Sequence, residues 1–122
     1  KWDDKAKVWD RQINKYIGTT LYYLHIRFGN PNQDDELYGR FDRFQAHIQA
    51  FKTAISSRAG KSSNKKDDSV IRMKELLTAF INNGKLMAML IYHHCHGSIL
   101  DIILPTWTML TYTSKYCVDI VS

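Results

Sequence analysis

Residues 37–55 read LYGRFDRFQAHIQAFKTAI, and within them Leu37, Phe41, Phe44, Ile48, Phe51 and Ile55 recur at steps of 4, 3, 4, 3 and 4. That period puts every one of these side chains on one face of an α-helix, in the narrow spacing by which packed helices interlock. The acidic run Asp34, Asp35 and Glu36 stands just before it, where carboxylates favour the positive end of the helix dipole. A face carrying three phenylalanines must be covered. The fold therefore turns on what the rest of the chain offers to cover it.

Upstream, Trp2, Ala6, Trp9, Ile13, Tyr16, Ile17, Leu21, Leu24 and Phe28 follow helical steps, with Asp3 and Asp4 in the first turn and Gly29, Asn30 and Pro31 as the stop. The short connection to the second helix predicts a long N-terminal antiparallel hairpin. Downstream, RAGKSSNKKDD at 58–68 predicts a mobile surface loop over about residues 59–68. Asp68 or Ser69 then caps a third helix using Val70, Met73, Leu77, Phe80 and Ile81, which Asn82, Asn83 and Gly84 are expected to end. A fourth helix follows from Lys85 to His96, and Ser98 with Asp101 restarts a short one before Pro105. The last stretch, TWTMLTYTSKYCVDIVS at 106–122, has strand-like β-branched content, yet Trp107, Leu110, Ser114, Cys117 and Val121 fall at helical steps. Helix is the reading adopted, because a lone strand would lack a partner. The expected fold class is all-α, a bundle of four or five helices.

At 122 residues with a hydrophobic fraction of 44%, the chain is expected to form one domain able to bury a core without staples. No apolar run is long enough to span a bilayer, which points to a soluble protein with no membrane partner. Cys95 and Cys117 form neither a CxxC pair nor a disulfide framework, and so point to a reducing, intracellular setting. The chain starts at Lys1 rather than methionine, as a processed or excised part of a longer one would.

Charge is unevenly distributed. Residues 1–85 hold 16 basic against 10 acidic side chains, a net +6, whereas Leu86 to Ser122 carries only Asp101, Lys115 and Asp119. Lys7, Arg11 and Lys15 follow one another at i,i+4, a stripe suited to tracking a phosphate backbone. Arg40, Arg43, Lys61, Lys65 and Lys66 extend the basic inventory, and Tyr22, Tyr23 and Tyr38 are candidate stacking platforms. The acidic residues Asp4, Asp10, Asp42, Asp67 and Asp68 interrupt these runs, and the alternative is a solvated surface of mixed charge. The uncharged C-terminal third, with Ile99, Ile103, Trp107 and Leu110, is expected either to bind another subunit or to be the centre of the bundle.

Two further constellations carry possible chemistry. HHCHG at 93–97 places His93 and His96 on one helix face, where zinc would require a third ligand such as Cys117, His25 or His47. The alternative is an ordinary helix end, favoured by the dipole. Arg40 and His47 in RFDRFQAH have an R-x6-H spacing. That spacing resembles the HEPN superfamily of all-helical ribonucleases, which implies a histidine general acid or base and an arginine steadying phosphate. The resemblance covers these two side chains, and Phe41 stands where that motif usually carries a polar residue. No nucleotide-binding, hydrolase-elbow or calcium-loop pattern is present, and no cofactor is implied. The leading expectation is a non-enzymatic basic helical subunit that binds nucleic acid, RNA first, in an assembly such as a viral nucleoprotein, coat or ribonucleoprotein complex. The alternatives are a protein–protein interaction domain and an Arg40–His47 ribonuclease.

Overall fold

The computed structural model describes residues 2–29, 36–60, 68–94 and 99–122. They form four helices: α1 (Trp2–Phe28), α2 (Glu36–Ala59), α3 (Asp68–His94) and α4 (Ile99–Val121), with no strand among the described residues. The chain is an all-α helical bundle. Side-chain contacts give the directions. Trp9 meets Phe51 and Tyr16 meets Phe44, so α1 and α2 run oppositely. Trp9 also bonds Ser114 while Tyr16 meets Trp107, so α4 runs opposite to α1.

The closest backbone approaches are α2 with α3 and α1 with α4. The expected α1–α2 hairpin is therefore not the tightest pairing. Large rings stand between those two helices, with centroids 5.5 Å apart for Trp9–Phe51 and 6.2 Å for Tyr16–Phe44, and Lys52 pairs with Asp10 across the same seam. The centre is an aromatic cluster. Phe80 stacks on Phe44 and Phe51 at 6.0 and 5.5 Å, and Trp107 lies edge-on to Phe44 and Phe80 at 5.5 and 5.2 Å. Phe41, Phe44, Phe51 and Phe80 are all fully buried, so the opening stripe of α2 is covered from both sides.

Helix ends follow local chemistry. Gly29 closes α1 with φ of 77°, its amide donating to the His25 carbonyl at 2.9 Å, which is the left-handed cap that glycine adopts without strain. The Tyr38 hydroxyl donates to the Gly29 carbonyl at 2.6 Å and secures that end. The 61–67 part of the expected loop lies outside the described residues.

Two expected breaks are absent. Asn82, Asn83 and Gly84 do not end α3, which continues to His94. Asn83 Nδ2 donates to the Ala79 carbonyl at 2.8 Å on its own helix, and Gly84 is a packing residue instead of a stop. A side-chain carbon on it would overlap the Trp107 indole, whose Cε2 would stand 2.8 Å away. Likewise Pro105 lies inside α4, so 99–121 is one helix. Thr106, Thr108 and Thr113 return their hydroxyls to carbonyls of the preceding turn at 2.7, 2.9 and 2.9 Å, which accommodates β-branched residues in a helix.

Candidate nucleic-acid interface

On α1 the buried residues Trp9, Ile13, Tyr16, Thr20 and Leu24 define the inward face. At 100° per residue, Lys7, Arg11 and Lys15 lie opposite to it, and all three are exposed. Each i,i+4 step advances about 6 Å along the axis, comparable to the reach between successive phosphates of an extended strand. Asp10 does not oppose this stripe. It is turned toward α2, where Lys52 holds it. Asp4 is exposed one turn before Lys7 and remains on the outer side.

The same face continues beyond Lys15. Tyr22 is 59% exposed and shares with Gly18, Leu21, His25 and Ile26 a shallow depression on the outside of α1. Gly18 has no neighbour that a side-chain carbon would meet, so its missing side chain leaves the floor in front of the Tyr22 ring open. The seven-residue step from Lys15 to Tyr22, two helical turns, is the signal in the sequence that places this ring on the basic face. The other aromatic candidates do not serve. Tyr23 is half-buried, and Tyr38 is buried with its hydroxyl on Gly29.

The remaining basic residues are dispersed. Lys52 marks the side of α2 that faces α1, and Arg43, nine residues earlier, projects to the opposite side. It is exposed, whereas Arg40 is half-buried with Nη2 4.0 Å from Glu36 Oε1. Arg40 and Arg43 therefore do not join the α1 stripe on one face. Arg58, the first residue of RAGKSSNKKDD, is buried at the end of α2. Lys61, Lys65 and Lys66 lie outside the described residues. Arg40 and the half-buried His47 stand on α2 about 10 Å apart along the axis.

His93 and His94 occupy the last turn of α3, their rings 5.3 Å apart and His94 edge-on to Phe28. Of the expected ligands, Cys117 stands apart from this pair. Cys117 is buried near Lys5, at the far end of α4 from the segment beside α3's C-terminus, about 20 Å along the axis from Leu104. His96 lies outside the described residues, and among the described residues no group of three or more His, Cys, Asp or Glu side chains is placed to hold a metal ion. Burial pushes the Cys117 thiol up, with Lys5 opposing.

Ile103, Trp107 and Leu110, expected either to bind another subunit or to lie at the centre of the bundle, are buried in this chain's own core. They close the bundle because α4 is its fourth wall, and the side chain of Ile99 lies outside the described residues. No described helix is long and apolar enough to cross a membrane.

No protein-family model, curated protein or solved structure matches the chain.

Proposed function

We propose that the protein is a non-enzymatic helical subunit that binds single-stranded nucleic acid, RNA in the first place, along the outer face of α1. The observation that carries the reading is the alignment of exposed Lys7, Arg11 and Lys15 with exposed Tyr22 on one face of one rigid helix. Cations at regular intervals neutralise phosphates without reading sequence, and a tyrosine ring accepts any base by stacking. The net charge of +5 draws the polyanion toward the surface. Such a subunit suits a larger assembly, a viral nucleoprotein or coat or a ribonucleoprotein complex.

The test is a fluorescence-anisotropy titration with a short single-stranded RNA across a salt series, with gel analysis of the same samples. Binding should weaken steeply with salt and leave the RNA intact. Replacing Lys7, Arg11 and Lys15 together by alanine should flatten the slope of log K against log salt by about 2, at about 0.7 per phosphate contact. Tyr22→Ala should weaken binding about 5- to 100-fold with little change in slope. Undiminished binding by the triple variant sinks the α1 reading, and shortened RNA that depends on His47 would replace it with the Arg40–His47 ribonuclease.

A further inference from the structure

α4 carries two apolar stripes. The inner one, Ile103, Trp107, Leu110, Cys117 and Val118, is consumed by the core. The outer one is Ile102, Pro105, Met109, Tyr112, Tyr116 and Ile120, at steps of 3, 4, 3, 4 and 4. Every member is exposed, Ile120 at 38% and Tyr112 at 78%. A helix that serves only as one wall of a four-helix bundle needs one stripe. A second stripe at 3–4 spacing has the pattern by which a helix receives another helix.

We propose that this outer stripe is a self-association surface, on which α4 of a second copy of the chain lies antiparallel. Three observations select that occupant. The first is register. A two-fold axis between Leu110 and Thr111 sets Met109 against Tyr112 of the second copy and Pro105 against Tyr116 of the second copy, and the reciprocal pairs follow by symmetry. Each of these layers matches a smaller side chain with a tyrosine, so two identical stripes interlock by size.

The second is charge. Residues 99–122 carry Asp101, Lys115 and Asp119, a net −1, in a chain of net +5. The α4 face lets two copies meet without opposing positive surfaces, as contact through the α1 stripe would require. Lys5, whose Nζ lies 5.7 Å from the Tyr116 ring centroid, sits at the edge of the stripe as a polar rim. The third is area. Covering these side chains completely on both copies would bury about 1,200 Å² in total, the lower end of the range for a specific stable interface.

This inference is independent of nucleic acid and is tested without it. Sedimentation velocity on the whole chain, from about micromolar to hundreds of micromolar protein, should show a concentration-dependent dimer. Tyr112→Glu with Tyr116→Glu should weaken it at least about tenfold while circular dichroism stays fully helical, because both sites face solvent in the single chain. A cross-link gives a readout that does not depend on that variant folding. Mixed Met109→Cys and Tyr112→Cys copies should form a disulfide faster than either variant alone, against wild type as the baseline for native thiols. A chain that stays monomeric throughout overturns the proposal and leaves the stripe to a different protein. A dimer indifferent to the two glutamates also overturns it, as does preferential linkage of 109 to 109.

Discussion

Gly84 and Trp107 form the most exacting contact in the molecule. The indole occupies the space where any other residue at 84 would place its first carbon, and Tyr16, Phe44 and Phe80 pack on it at 5.4, 5.5 and 5.2 Å and hinder its movement. Gly84→Ala would ordinarily gain helix propensity. Here it should destabilise by about 3 kcal/mol, the top of the usual overpacking range. Adding Trp107→Phe should recover at least about 1 kcal/mol of the loss, since the two sites share one space. Urea unfolding of the two single variants and the double variant measures this, and strictly additive losses would refute the contact.

Tyr16 makes the opposite case, a buried polar group that is poorly served. Its hydroxyl and that of Thr20 reach no partner with full hydrogen-bond geometry among the described residues, though both line a cavity of about 130 Å³ between α1 and α4. Burial pushes the phenol above its ordinary value near 10, with Thr20 close enough to oppose the shift in part. Because the native pKa is the higher one, the unfolded chain releases this proton first. The contribution to stability is whole below about pH 10 and is lost as pH rises above it. Tyr16→Phe should change stability by less than about 1 kcal/mol at neutral pH. Its stability should then fall less steeply than wild type above pH 10, and a constant difference up to pH 11 would remove the phenol from this account.

At the scale of the element, α4 shows local preference yielding to context. Its threonines and valines favour a strand, but the described residues contain no other strand to pair with, and the inner stripe needs a helical period to reach the core. Pro105 carries no amide hydrogen to bond the carbonyl four residues back, yet the helix runs through it. Pro105→Ala should stabilise the monomer by about 1–2 kcal/mol, the helix penalty less the rigidity proline confers on the unfolded chain. Thermal unfolding at low protein concentration reads this, and a lower Tm would refute the penalty. In α3 the same lesson runs through a glycine. Asn82-Asn83-Gly84 looks like a stop in sequence because glycine suits a cap as readily as a close approach, and only the position of Trp107 distinguishes the two.

Over the whole molecule, the periodicity of α1 and α2, the acidic first turns, the cap at Gly29 and the all-α class were legible in the sequence, since each depends on residues within a few turns of one another. The exposed Lys7–Arg11–Lys15 stripe was legible for the same reason. Which helices lie closest was not, because that depends on ring size across seams between distant segments. Nor was the separation of Cys117 from His93 or the burial of Arg58, and the sequence left open whether Ile103, Trp107 and Leu110 would turn inward or meet a partner. Both phases of the α4 pattern were present in the letters. The sequence by itself determined that helices would form and that each would bury a stripe, because hydrophobic period and end chemistry are local. Only the tertiary structure decided which stripe of α4 the core consumed and which it left facing water, because that choice is made by the three other helices.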